Sequence, residues 1–349
     1  MSPARLAALV LAALAVVLAA GACGGSSANS AGGGPAGSPP DAATPAAQTG
    51  LVRWPVFIHV RHPLDLAGPL RDGSLVMWAN GRLFTLRPSG RISPFARSYY
   101  RPGNAEPYIA APAPGHGGCS FGSGTVYVLR LYGGRGVVAV RRGGPVRRLA
   151  SITAPGLIDG IAFDETGRFG HRLLVTINDG LRTTVDAIDC HGRVSTITRT
   201  APRVEGGIVV ARPPFGGFTG DLIAPDEKSG RIYAITPGGR SVLIARSGLP
   251  YGQDVGVESE VQVPDQRRYH LLGADRLTPG NRHPGDNALL RAGSAALIKA
   301  GVRPGDVLVA TEGGARVVDV SCRASCSVRE VADGPAEAHL EGHLAITLP

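Results

Sequence analysis

The chain repeats one short template four times: Ile158-Asp159-Gly160-Ile161, Val204-Glu205-Gly206-Gly207, Val257-Glu258-Ser259-Glu260 and Leu340-Glu341-Gly342-His343. Each copy places a carboxylate at the start of a short apolar strand. After each of the first three copies come a second strand, a glycine-containing hairpin and two more strands, with a repeat of about 45 to 55 residues. This period predicts an all-β protein, a six-bladed β-propeller, and leaves five or seven blades as alternatives.

Blades three and four are the clearest repeats. Arg172-Leu-Leu-Val-Thr176 of blade three aligns with Gly220-Asp-Leu-Ile-Ala224 of blade four, and Val185-Asp-Ala-Ile188 aligns with Ile232-Tyr-Ala-Ile235. In blade one, Asn80-Gly81 predicts a tight hairpin. In blade two, Gly118 to Phe121 is the predicted inner strand.

The end of the chain departs from the template. We expect blade five to begin at Val257 and continue through residues 269–273, with an insertion over 274–287 and a helix over 294–300. Residues 306–310, 315–320 and 328–331 then form blade six. The C-terminal strand, residues 341–348, is predicted to close the ring as the inner strand of blade one, a place that residues 56–60 can also take.

The template predicts which residues share a face. In an antiparallel blade, the inner strand starts on the side where the second strand turns into the third, so the repeated acids and these hairpins lie together. We expect metal ligands at Asp159, Glu205, Glu258 and Glu341, and ligand-binding residues at His116, Asn178, Asp226 and His283. His116 occupies the template position in blade two, and His283 lies in the polar insertion.

Carboxylates that converge on one axis repel one another, so their charge needs compensation. A bound Ca²⁺ or another divalent cation is one possibility. Basic residues such as Arg203, Arg282 or Lys228 are a second, and protonated or outward-pointing acids are a third. The acids also have a purely structural interpretation as the starts of inner strands. His339, Glu341 and His343 alternate along one strand, which suits a metal site but also an ordinary channel-lining strand.

The inner-strand pattern, with Gly220-Asp221-Leu222-Ile223 and Gly230-Arg231-Ile232-Tyr233 after it, resembles the senescence-marker/gluconolactonase superfamily of TolB-like six-bladed propellers, and also actinobacterial lipoprotein propellers. The resemblance implies a Glu that binds a divalent metal together with Asn and Asp from other blades. Glu205, Glu258 or Glu341 match the Glu, and Asn178 or Asp226 match the others loosely. It also implies lactone or ester hydrolysis. Quinone-dependent sugar dehydrogenases use the same architecture and are a third alternative, with His116 and Arg282 over the channel.

The N-terminus predicts export. Residues 1–22 combine Arg5 with a short apolar run and small residues before Cys23, which is typical of a lipoprotein signal peptide. We therefore expect lipidation at Cys23, a disordered linker over 23–50 and the propeller over 51–349. A lipoprotein would lie at the outer leaflet of the cell membrane. Ala20-x-Ala22 also fits ordinary cleavage, which would give a secreted protein.

Four further cysteines accompany an exported chain. Cys322 and Cys326 flank a turn and predict a hairpin disulfide, whereas Cys119 and Cys190 can bridge or remain thiols. The net charge of +9 comes from scattered arginines without any nucleic-acid-binding motif, so we expect no nucleic-acid partner.

Two functional classes follow from these observations. The first is a monomeric, membrane-anchored binding module whose acid-ringed face recognises a small molecule, a carbohydrate or a protein, with a divalent cation as a candidate cofactor. The second is a metal-dependent lactone or ester hydrolase, so the sequence leaves open whether the protein is an enzyme.

Overall fold

The structure, a computed structural model, describes residues 50–101, 106–113 and 120–348. Its strands form six sheets. The inner strand of each sheet contacts the inner strand of the next, and the sixth contacts the first, so the sheets close into a ring. The predicted six-bladed β-propeller is confirmed.

Blades one to four are each continuous in sequence. Blade one contains Pro63–Ala67, Leu75–Ala79, Arg82–Leu86 and Ile92–Pro94, and blade two contains Ile109–Ala110, Thr125–Arg130, Gly136–Arg141 and Val146–Ser151. Blade three contains Leu157–Phe163, Leu173–Asn178, Arg182–Ile188 and Val194–Pro202. Blade four contains Val209–Val210, Leu222–Asp226, Arg231–Ile235 and Ser241–Arg246. The order within each blade runs from the inner to the outer strand.

Blades five and six are interleaved. Blade five contains Val257–Gln262, Val307–Thr311, Val317–Cys322, Cys326–Asp333 and Val52–Arg53; blade six contains Leu340–Thr347, His270–Asp275, Ala288–Gly293 and Val56–His59. A helix spans Ser294–Lys299, as predicted, and a 3₁₀ turn spans Gly216–Phe218. Within the described ranges, no helix has the length and apolar character needed to cross a membrane.

The strand assignment at the end of the chain was wrong. The C-terminal strand Leu340–Thr347 is the inner strand of blade six, and Val56–His59 is the outer strand of that blade. The inner strand of blade one is Pro63–Ala67, and that of blade two is Ile109–Ala110. After Gln262 the chain adds two strands to blade six before it returns to blade five, which a linear repeat cannot predict.

Alternate residues of one strand pack into two different cores. Leu173, Val175 and Ile177 belong to the cluster between blades one, two and three, whereas Leu174 belongs to the cluster between blades three and four. Both faces of a blade are therefore buried. This explains why the middle strands are almost continuously apolar and lack a polar face.

A buried carboxylate joins three inner strands where the ring closes. Asp65 is fully buried and accepts backbone N–H bonds from Ile109 of blade two and His343 of blade six, both at 2.6 Å. His343 Nδ1 lies 3.0 Å from the same carboxylate. Gly342 has φ of 64°, and a Cβ there would lie 2.5 Å from Asp65 Oδ1, so glycine is required for this contact.

Two of the template acids occupy β-bulges. The strand register shifts between Ile158 and Gly160 and again between Val257 and Ser259, so Asp159 and Glu258 are the extra residues of their strands. A bulge redirects a side chain away from the regular alternation. At these two positions the repeated carboxylate therefore coincides with a repeated irregularity of the backbone.

The predicted disulfide between Cys322 and Cys326 is present and joins the third and fourth strands of blade five. Cys190 is also disulfide-bonded. Cys23, Cys119 and the predicted signal peptide and linker lie outside the described residues.

Candidate functional site

One face of the propeller contains a strongly acidic cavity of about 210 Å³, which we call the acid pocket. Seven of its eleven lining residues are carboxylates. The lining consists of Glu106, Glu205, Glu227, Gln253, Asp254, Glu258, Thr278, Asn281, Glu312, His339 and Glu341.

The acid pocket gathers the beginnings of inner strands and the ends of second strands. Glu258 and Glu341 begin the inner strands of blades five and six. Glu227 and Glu312 directly follow the second strands of blades four and five. Thr278 belongs to the insertion between two strands of blade six. The prediction that inner-strand acids and these hairpins share a face is correct.

Three of the four predicted metal ligands line this pocket: Glu205, Glu258 and Glu341. The fourth, Asp159, is buried but does not line the pocket, and it accepts a hydrogen bond of 3.1 Å from the Thr176 hydroxyl. Burial raises the pKa of Asp159 to about 8, so this carboxyl is largely protonated at neutral pH.

The predicted ligand-binding residues have different surroundings. Asn178 donates a hydrogen bond of 3.4 Å to Glu205, next to the pocket. Asp226 pairs with Arg203 and accepts a hydrogen bond from the Ser229 hydroxyl. His283 Nδ1 lies 2.6 Å from the carbonyl oxygen of Ala336, and His283 is not part of the pocket lining. His116 lies outside the described residues.

A single arginine neutralises the blade-four side of the pocket. Arg203 forms ion pairs with Glu205, with Asp226 at 2.7 Å and with Glu227 at 3.6 Å. The Arg203 side chain is only 11% exposed. It lies between Glu205 and Asp226, two of the residues that the family resemblance implies as metal ligands, so a protein cation already compensates these two acids.

Two other bases neutralise the blade-six side. His339 Nε2 lies 3.0 Å from Glu312 and 3.1 Å from Glu341. Arg276 reaches Glu106 at 2.5 Å and Glu341 at 3.4 Å. Burial lowers the pKa of His339, but the two carboxylates outweigh it and raise this pKa to about 10. Without a bound metal, His339 therefore carries a proton between Glu312 and Glu341 at neutral pH, and a metal ion that used Nε2 as a ligand would have to displace this proton.

Glu258 lies between these two sides and has no basic partner among the described residues. The Tyr108 hydroxyl donates a short hydrogen bond to it and lies 3.5 Å from Glu341. Burial, together with Glu312 and Glu341, raises the pKa of Glu258 well above its ordinary value. Burial, together with Glu258, Glu341 and Glu106, raises the pKa of Tyr108, which remains a neutral donor.

Negative groups outnumber positive ones in this region. Within the described residues, the seven lining carboxylates and Asp226 have three basic partners, Arg203, Arg276 and His339. Burial raises the pKa of Glu106 to about 6 and that of Glu312 to about 8. The negative charge is therefore compensated in two of the expected ways, by basic residues and by protonation. Of the three bases named from the sequence, only Arg203 pairs with these acids.

One group of side chains has the spacing of metal ligands. Glu312, His339 and Glu341 are all buried and each offers a ligand atom within 4.8 Å of the others. Two carboxylates and an imidazole form a mixed oxygen and nitrogen donor set, which suits divalent transition metals better than the all-oxygen sites that Ca²⁺ prefers. The donor set therefore fits a divalent cation, with Glu341 as the predicted ligand that belongs to it.

Sequence reasoning missed Glu312 and Arg276, although a signal for them existed. The second strands of blades three and four end in Asn178 and Asp226, which were predicted to lie on this face. Glu312 and Arg276 follow the second strands of blades five and six in the equivalent place. The incorrect strand assignment of these two blades concealed the equivalence.

Comparison with known proteins gives a likeness in fold. No family model and no curated protein matches the chain. Among solved structures, a protein of unknown function from Bacteroides thetaiotaomicron has a TM-score of 0.47 at 11% identity, covering 83% of this chain and 66% of its own. Virginiamycin B lyase from Staphylococcus aureus has a TM-score of 0.45 at 12% identity, covering 84% and 98%.

A gluconolactonase from Xanthomonas campestris is more distant, with a TM-score of 0.34 at 12% identity, covering 67% of this chain and 86% of its own. At these values the likeness carries no information about activity. Strand pairing and ring closure establish the architecture independently. The chain is a six-bladed β-propeller that resembles the lyase and gluconolactonase propellers in fold.

Proposed function

We propose that the acid pocket binds a divalent cation at Glu312, His339 and Glu341, and that the protein is a binding module whose ligand is recognised on this face. The observation that carries the proposal is the cluster of three buried donor atoms within 4.8 Å of one another. The excess of carboxylates around it supports the same conclusion, because a cation would reduce their mutual repulsion.

The structure supports binding more than catalysis. Arg203 already pairs with Glu205 and Asp226, so these acids do not form an open metal site of the kind the resemblance implies. The chemistry that a bound cation would supply here is neutralisation of Glu312 and Glu341 and an attractive site for an anionic or hydroxylated ligand group. The expected export and lipid anchor at Cys23 would place this module outside the membrane.

Metal analysis tests the proposal directly. The purified protein is dialysed against Ca²⁺, Mn²⁺ or Zn²⁺ and its metal content is measured by mass spectrometry. We expect about one ion per chain for at least one metal, with Mn²⁺ or Zn²⁺ ahead of Ca²⁺ because of the imidazole donor. The double variant E312Q/E341Q should lose this ion.

A control variant separates the site from general negative charge. Glu337 is exposed and does not line the pocket, so E337Q should keep the wild-type metal content. Absence of stoichiometric metal in the wild type, or equal content in wild type and E312Q/E341Q, would overturn the cation site.

A further inference from the structure

A second cavity lies at the other end of the blade-five inner strand. It has a volume of about 310 Å³, and we call it the arginine cavity. Val263, which directly follows the strand Val257–Gln262, forms part of its wall together with the buried residues Tyr269 and Val302. Ile298 of the short helix lines the cavity and remains 44% exposed. The walls are thus largely apolar and open to solvent on one side.

The charge of this cavity is opposite to that of the acid pocket. Arg267 and Arg303 line it, both residues are exposed, and none of the described lining residues is a carboxylate. Throughout the described part of the chain, neither guanidinium has an ion pair or a hydrogen bond. The neighbouring Asp306 is fully buried and is already bound by the backbone N–H of Arg303 and by Arg323.

We propose that the arginine cavity binds a small amphipathic carboxylate. The apolar tail would pack against Val263, Tyr269 and Val302, and the carboxylate would pair with Arg267 and Arg303. Guanidinium groups bind carboxylates through paired hydrogen bonds, which are stronger than neutral hydrogen bonds. The volume falls at the lower end of the range for ligand pockets, about 300 to 1,000 Å³, so the ligand is expected to be small.

This proposal does not depend on the cation site, because the two cavities share no lining residue. Both an anionic head and an apolar tail are needed for a good fit. A free inorganic anion would leave the apolar walls uncovered, and a neutral apolar molecule would leave two arginines unpaired.

Calorimetric titration with matched probes tests both requirements. Octanoate is the test ligand, acetate lacks the tail, octanol lacks the charge and octylamine reverses it. We expect octanoate to bind at least tenfold more tightly than octanol, and acetate and octylamine not to bind measurably. Binding of octanoate should also weaken as salt is added.

Variants locate the binding. R267Q/R303Q should weaken octanoate at least tenfold and leave octanol unchanged; both residues are exposed, so the fold should be preserved. Arg246 of blade four is also exposed and lies outside the cavity, so R246Q is the matched control. Equal affinity for octanoate and octanol, or an unchanged octanoate affinity in R267Q/R303Q, would overturn the proposal.

Discussion

Replacing Arg203 with glutamine tests how the acid pocket is stabilised. The guanidinium is the only base that pairs with Glu205, Asp226 and Glu227 in the described structure. Glutamine keeps much of the side-chain length but removes the charge. The variant would leave three carboxylates close together, two of which are almost completely buried.

The expected cost follows from that burial. Removing one partner of a buried ion pair destabilises a protein by about 3 to 5 kcal/mol, because the remaining charge stays desolvated. Glu205 is 23% exposed, so water relieves part of the repulsion. We therefore expect R203Q to lose about 3 kcal/mol of unfolding free energy near pH 8. Burial already raises the pKa of Glu227, so at lower pH this acid takes up a proton and the loss becomes smaller.

Urea unfolding in the presence of a chelator, at pH 8 and pH 5, measures these quantities. Arg316 provides the control, since it pairs with Glu330 through two contacts of 2.8 Å near the surface and R316Q should cost less than about 1 kcal/mol. The double variant R203Q/E227Q should recover at least about 1 kcal/mol of the loss. The reasoning is refuted if R203Q costs no more than R316Q, or if the double variant is no more stable than R203Q.

Two further predictions concern buried carboxylates elsewhere. Burial and the neighbouring Asp306 raise the pKa of Asp319 from 3.8 to about 7, so the folded state holds a proton that the unfolded state releases. Its stabilising contribution is present below about pH 4 and is lost as the pH rises to about 7, which lowers the unfolding free energy by on the order of 4 kcal/mol. D319N should flatten this part of the curve of unfolding free energy against pH. An unchanged curve would contradict the assignment. G342A should cost at least about 2 kcal/mol, from its positive φ and from the clash with Asp65. Gly124 also has a positive φ, but no atom lies within 4 Å of the place where its Cβ would be, so G124A measures the conformational cost alone. Equal losses of unfolding free energy in G342A and G124A would contradict the role of the Asp65 contact.

The sequence predicted the fold wherever consecutive segments form one blade. Blades three and four were assigned correctly because their strands follow one another and repeat the same apolar pattern. Blades five and six were assigned incorrectly, because the chain leaves blade five after Gln262 and returns to it at Val307. Local patterns predict a strand but not its partner when the partner is distant in sequence. The inner strand Pro63–Ala67 was missed because it begins with proline and lacks the apolar-acid-glycine template.

The candidate site was predictable in part. Repetition identified Glu205, Glu258 and Glu341, all of which line the acid pocket. Compensation of their charge was not predictable in detail, since it depends on bases brought in from other segments. Arg276 was not among the expected bases, and His339 was expected as a metal ligand or as part of an ordinary channel-lining strand, yet both pair with Glu341.

The four template acids differ in how their charge is compensated. Asp159 is neutralised by protonation, Glu205 by Arg203, and Glu341 by His339 and Arg276. Glu258 accepts a hydrogen bond from a neutral donor, the Tyr108 hydroxyl. Asp159 and Glu258 occupy bulges, whereas Glu341 is paired within its strand and Glu205 precedes the strand Val209–Val210, and the residues around each acid determine how its charge is compensated. Burial and then the neighbouring Glu312 raise the pKa of Glu258, so a cation bound at the proposed site of Glu312, His339 and Glu341 would weaken the repulsion between Glu258 and Glu312.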